Sequence, residues 1–353
     1  MNERINRVTK VKIDKFASST FRLGLSNPLE ITRDCVSETG TVVVVRALTE
    51  NPHYPDLELA DGRIERIRTG DVIAGVLGSR RALRGFVGYA PYKLRAGDHL
   101  NLLNLGGVIG RCIDGHKDLG DAVQVEVLGC AVRQKTILNL DQAALTPMPL
   151  VAITKPVVLV LGSCMNVGKT AAASEIIRRF AESGRRVGAA KLSGIACLKD
   201  LRRFEAAGAA KVLSFLDAGV PSTVDAEDPG AIARTVLGHL EASPVDLIVL
   251  ELGDGILGHY GVDRVLDDST LLGAVTAIVF CASDLVSAWG GVELLGRRGL
   301  PIDVISGPAT DNVSGTTWID GTMNVRAANA LTEAPRLMEI LQARLATRHE
   351  VRT

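Results

Sequence analysis

Residues 159–177, LVLGSCMNVGKTAAASEII, decide how the second half of this chain is read. An apolar run at 157–161 meets a turn ending in Gly168-Lys169-Thr170, and a helix with Ala171, Ile176, Ile177 and Phe180 facing inward is expected to follow. Strand, turn and helix in that order form the context in which a phosphate-binding loop works. Backbone N–H groups and the helix N-terminus hold phosphate oxygens, the lysine spans the β- and γ-phosphates, and the hydroxyl binds Mg²⁺. One position departs from the common G-x-x-x-x-G-K-[ST] spacing. Ser163 stands where the first glycine belongs, and the glycine is one residue earlier, at Gly162. The change alters the turn and removes no charged partner, so a working site is expected. Its nucleotide contacts are Gly162, Ser163, Asn166, Val167, Gly168, Lys169, Thr170 and Ala171.

Outward from this loop, strand and helix alternate. Helices are expected at 169–182, 199–210 and 229–241, the last capped by Asp228 with a proline in its first turn, and a final one near 326–347. A strand is expected at 187–191, those at 247–251, 275–281 and 302–305 are apolar as in sheets buried on both faces, and 212–216 is ambiguous. The pattern is α/β: a P-loop NTPase domain at 151–353 with a doubly wound, mostly parallel sheet. The segment before it, AALTPMPLVAITKP at 143–156, holds three prolines and reads as a linker.

Residues 1–150 follow another grammar. Short β-branched runs at 41–48, 71–77, 85–90, 99–112 and 122–132 are separated by Gly, Pro and Asp, and 57–67 alternates around Asp61-Gly62 as a hairpin. A smaller all-β barrel-like or sandwich domain of about six to eight strands is expected. Its glycine-rich stretch, Leu105 to Gly110, could approach a ligand, but such glycines more often mark bulges and barrel corners.

Forty basic and forty acidic residues cancel, so no basic field invites nucleic acid or anionic lipid. No apolar run reaches membrane-spanning length and the first residues are polar, so a cytoplasmic protein is expected. The six cysteines include no C-x-x-C pair and read as reduced thiols. Cys112 and His116 have loose metal spacing but no second pair, so zinc is not expected.

The stretch from Gly162 to Thr170 resembles the G-T-x-x-x-V-G-K-[ST] loop of the dethiobiotin synthetase and cobyrinic acid synthase families, and the G-T-D-C-x-V-G-K loop of the DUF1611 family. Lys191-Leu192-Ser193-Gly194 is similar to the K-P-x-x-[ST]-G segment of dethiobiotin synthetases, one residue shorter. Glu251 to Gly255 is similar to their E-G-A-G-G. The likeness covers about 156–310, and the β-rich half has no counterpart in dethiobiotin synthetase. It implies ATP with Mg²⁺ and a site at the carboxyl ends of the strands. Thr170 and Glu251 would hold the metal, with Asp200 and Asp217 both candidates for a further acid. Lys169, Lys191 and Glu251 would be catalytic, and Lys191, Ser193, Gly253, Asp254, Gly255 and His259 would bind substrate, with Tyr260 beside them. Thr310, Asp311 and Asn312 would lie near the base.

The function expected on these grounds is ATP- and Mg²⁺-dependent phosphoryl transfer to a small carboxylate or an amine-derived carbamate, by a ligase or kinase working through an acyl phosphate. The alternatives are a regulatory or chaperone-like ATPase whose β domain grips a partner, and a β-domain binding module with a vestigial loop. The expected partner is a small carboxylate or amine substrate, with no nucleic acid or membrane; a homodimer is left open.

Overall fold

The computed structural model describes residues 7–148 and 152–350, so residues 149–151 of the proline-rich linker lie outside it. The first half contributes β1 (Val8–Val11), β2 (Lys15–Phe16), β3 (Leu29–Thr32), β4 (Val42–Ala47), β5 (Asp56–Glu58), β6 (Ile64–Arg66) and β7 (Val72–Leu77). It continues with β8 (Arg80–Arg81), β9 (Phe86–Tyr89), β10 (His99–Leu102), β11 (Val108–Gly115), β12 (Gln124–Arg133) and β13 (Thr136–Ile137). Strand β12 pairs β4, β4 pairs β7, β7 pairs β11, β11 pairs β10, and β10 returns to β12. Five strands therefore close into a barrel, which leaves them no free edge. Alternate residues such as Val43 and Val45, Leu100 and Leu102, and Val125 and Val127 share one buried cluster, as the two-residue strand period requires.

The hairpin expected around Asp61-Gly62 is present as β5 and β6, with Gly62 at φ 88°. The single strand expected at 99–112 is instead two antiparallel strands. Gly107 turns the chain between them at φ 79°, and a Cβ on Gly106 would lie 1.9 Å from the Ala196 carbonyl oxygen. Glycine serves close backbone packing here. The short strands β1 and β3 were not anticipated; four residues give too little periodicity to read.

The second half builds β14 (Val157–Gly162), α1 (Lys169–Glu182), β15 (Val187–Lys191), α2 (Lys199–Ala206), β16 (Lys211–Ser214), α3 (Pro229–Glu241) and β17 (Leu247–Glu251). Then come α4 (Val262–Leu266), α5 (Ser269–Ala274), β18 (Ala277–Cys281), α6 (Leu285–Gly296), β19 (Val304–Ser306), α7 (Val313–Thr322), β20 (Arg326–Ala327) and α8 (Ala334–Glu350). The seven strands form one parallel sheet in the order β16-β15-β17-β14-β18-β19-β20. Helix α1 buries Ala172, Ala173, Ile176, Ile177 and Phe180, whereas Ala171 is only half-buried near the loop. Asp228 caps α3 by accepting from Ala231 N at 2.9 Å. The last helix begins eight residues later than expected, because Arg326 and Ala327 pair with β19 as an added edge strand.

The chain groups into two units: 1–145 with 195–199 and 215–227, and 146–194 with 200–214 and 228–353. Two short excursions of the second half thus belong to the barrel unit. Within that unit Leu198 N donates to Glu58 at 2.6 Å, and Ser79 N donates to Asp225 at 2.7 Å.

Candidate functional site

The structure explains the displaced glycine of the loop. At Gly162, the last residue of β14, a Cβ would come within 2.6 Å of the Cys281 carbonyl oxygen and 3.2 Å of Lys169 Cγ. Ser163 still behaves as strand: its N–H donates to Cys281 O at 2.9 Å. The left-handed positions come later, at Asn166 with φ 61° and Gly168 with φ 90°. A serine is therefore tolerated where the common pattern has glycine, because this loop turns three residues further on. Val167 is buried in the core behind the loop, and Lys169 opens α1, 5% exposed, with Nζ donating to Cys164 O at 2.6 Å.

Parallel register brings the acidic side of the site together. Glu251 lies opposite Val160 of β14 on one side and Lys191 of β15 on the other. Thr170 Oγ1 donates to Glu251 Oε1 at 3.0 Å and lies 3.5 Å from Asp200 Oδ1, and Lys191 Nζ forms an ion pair with Asp200. Glu251 is buried, and its Oε2 has no hydrogen-bond partner. Burial pushes the Glu251 carboxyl upward, Asp200 adds to this, and Lys191 and Lys169 oppose it. Burial likewise pushes the Lys169 ammonium downward. A hard cation suits this set. Mg²⁺ takes one or two carboxylates, with water and phosphate oxygens completing its shell, and the Glu251 oxygen without a partner retains a lone pair for such a ligand. Among the described residues no larger His, Cys, Asp and Glu cluster suggests another metal.

The loop after β17 packs against both. A Cβ on Gly253 would meet Ser193 O at 2.2 Å, and one on Gly255 would meet Ser163 O at 2.4 Å. These glycines admit neighbouring backbone rather than leaving open space. Ser193 ties the same loop down, donating to Gly253 O at 3.1 Å while fully buried. Asp254 sits between the two glycines at φ 63°, pushed upward by burial with Lys169 opposing. His259 is exposed, and Tyr260 is buried. Sequence reasoning missed Gly307, whose positive φ of 85° places it where a Cβ would strike Val167 O at 2.6 Å. The S-G-P turn after an apolar strand was its only signal.

Asp200 joins the site and Asp217 does not. Asp217 belongs to the barrel unit, where Arg22 pairs with it. The base-side residues are engaged in local structure: Thr310 Oγ1 donates to Gly307 O at 2.7 Å, and Asn312 caps α7 by accepting from Ser314 N and Gly315 N. Asp311 accepts from Asn329 Nδ2 at 2.8 Å.

No family model matches the chain, and no curated protein does. Among solved structures it is similar to the signal recognition particle receptor FtsY from Elizabethkingia anophelis, at 13% identity and TM-score 0.37, covering 53% of this chain and 60% of that one. It is also similar to the signal recognition particle 54 kDa protein from Aeropyrum pernix K1 in complex with GDP, at 21% identity and TM-score 0.39, covering 60% and 52%. The cell division protein ftsY from Thermotoga maritima follows at 16% identity and TM-score 0.38, covering 53% and 66%. The chain thus spans between 52% and 66% of the length of these three structures. None of the three is a ligase or kinase by its name, and the expectation of phosphoryl transfer to a small carboxylate is corrected. Lys191, expected to meet the acceptor, forms an ion pair with Asp200 in this structure. The comparisons support neither a small-molecule substrate nor the exclusion of nucleic acid. Among the described residues, no helix is long and apolar enough to cross a membrane. The second unit is a P-loop domain, with the loop, lysine, hydroxyl and strand-end acid of that class in place.

Proposed function

We propose that the P-loop unit binds the Mg²⁺ complex of a nucleoside triphosphate and hydrolyses its terminal phosphoanhydride bond. The observation that carries this reading is the cluster of Thr170, Glu251 and Asp200 beside Lys169, with one buried carboxylate oxygen unsatisfied. In this reading Lys169 exchanges its bond to Cys164 O for phosphate oxygens, and the loop N–H groups from Asn166 to Thr170 hold the β-phosphate. Thr170 and Glu251 would hold Mg²⁺, with Asp200 beside them, and the ion would supply charge neutralisation at the phosphates. Asp254, held between Gly253 and Gly255 on the loop after β17, would orient the attacking water. Lys191 holds Asp200 in place through their ion pair.

ATP is the nucleotide the motifs imply, and a GDP complex among the similar structures makes GTP the comparison to run beside it. The finer likeness to the dethiobiotin synthetase, cobyrinic acid synthase and DUF1611 families rests on the three motifs alone. Calorimetry with ATP and GTP, each with Mg²⁺ and with a chelator, together with phosphate release, tests the reading. Metal-dependent binding of either nucleotide and steady phosphate release are expected. Absence of heat with both nucleotides at millimolar concentration would sink it.

A further inference from the structure

The barrel unit holds a pair of thiols that nucleotide binding does not use. Cys130 lies on β12 with its Cα opposite Thr32 of β3. Beyond Thr32 the chain bends, with Asp34 N donating to Thr32 Oγ1 at 3.2 Å and Cys35 N to Arg33 O at 3.0 Å. The bend brings Cys35 back over the pair. Cys35 Sγ lies 3.9 Å from Thr32 O, Cys130 Sγ lies 4.0 Å from Val36 O, and Cys35 packs against the buried cluster that contains Cys130. Cys35 is half-buried and reachable from solvent, while Cys130 is fully buried behind it, within the barrel cluster.

We propose that Cys35 and Cys130 form a peroxide-reactive dithiol site, in which Cys35 attacks a small hydroperoxide and Cys130 closes an intramolecular disulfide. The roles are set by the asymmetry of the pair. Cys35 is the thiol that solvent reaches, and Cys130 beside it lowers its pKa against burial, Asp34 and Asp98, while the proximity of Cys35 and burial push Cys130 up. The thiolate is the nucleophile in such chemistry, so the exposed partner reacts first. Cys35 thiolate attacks one oxygen of hydrogen peroxide, the O–O bond breaks, and the departing hydroxide is protonated to water. Cys35 is then a sulfenic acid. Cys130 sulfur displaces its hydroxyl, giving up its own proton, so that the S–S bond forms and a second water leaves. Two thiols and one peroxide thus yield one disulfide and two waters. The two side chains start as neighbours across the β3–β12 pair, which is the proximity a disulfide requires. Cys281, by contrast, is buried with its thiol pushed up to about 12, and does not compete.

The full chain treated with a small excess of hydrogen peroxide, followed by intact mass and non-reducing peptide mapping, tests this. A loss of about 2 Da and a linked peptide pair containing Cys35 and Cys130 are expected. Before oxidation, iodoacetamide should label Cys35 roughly tenfold or more faster than Cys130. Cys130→Ser should leave a sulfenic acid on Cys35 that dimedone traps, and Cys35→Ser should abolish the disulfide. If the buried serine unfolds the chain, the mapping of the wild-type protein still decides. A Cys35 that stays a free thiol in folded, peroxide-treated protein, or a disulfide joining other cysteines, overturns the proposal.

Discussion

Each unit buries a glutamate at the end of a strand, and the two glutamates are used in opposite ways. Glu58, 1% exposed at the end of β5 in the barrel unit, accepts a backbone N–H from Leu198 at 2.6 Å. Asn104 is equally committed, donating to Ala196 O and accepting from Val108 N. Glu251, 2% exposed at the end of β17, touches Thr170 through one oxygen and leaves the other without a partner. A buried carboxylate satisfied by backbone holds chain segments together. One that shares a hydroxyl with another acid, beside a lysine, and retains an orphan lone pair is built to meet a ligand. Burial alone does not separate the two roles; the partners do.

The strongest way to break this contrast is at the loop lysine. Lys169→Ala should lower nucleotide turnover by roughly a hundredfold or more, since charge developing on the phosphates loses its fixed counterion. Phosphate release at saturating nucleotide, set against a thermal melt that stays unchanged, checks it.

Substituting each glutamate in turn sharpens the contrast directly. Glu251→Gln should raise the Mg²⁺ concentration needed for half-maximal turnover by about tenfold, because a neutral amide is a poorer ligand for a hard cation. Glu58→Ala should leave that titration untouched and instead lower stability by about 1–3 kcal/mol, as Leu198 N loses its buried acceptor. Denaturant unfolding reads the second effect. An altered Mg²⁺ titration in Glu58→Ala would erase the distinction.

A smaller effect separates the two aspartates that sequence reasoning left undecided. Asp200→Asn should raise the Mg²⁺ requirement several-fold, whereas Asp217→Asn, which weakens the Arg22 pair in the barrel unit, should not change it. The mildest perturbation is Gly106→Ala. A Cβ there meets Ala196 O, so the barrel unit should lose about 1–3 kcal/mol while nucleotide affinity, read by calorimetry, holds.

By itself the sequence determined the α/β class of the second half, the limits of α1, α3 and β17, and the identity of Lys169, Thr170 and Glu251 as the residues that come together at the loop. These are local matters: a 3.6-residue helical stripe, an apolar strand and a glycine-lysine-threonine junction are each legible within about twenty residues. Tertiary structure alone decided the rest. Barrel closure depends on β10 and β12 meeting across more than twenty residues, and the excursions 195–199 and 215–227 join a unit whose other strands end before them. The fold places Asp200 rather than Asp217 beside Thr170, and it pairs Lys191 with Asp200. The missing first glycine became intelligible only when Ser163 was seen to continue the ladder to Cys281. Pairing between distant segments is set by the free energy of the whole assembly, which no window of local sequence contains.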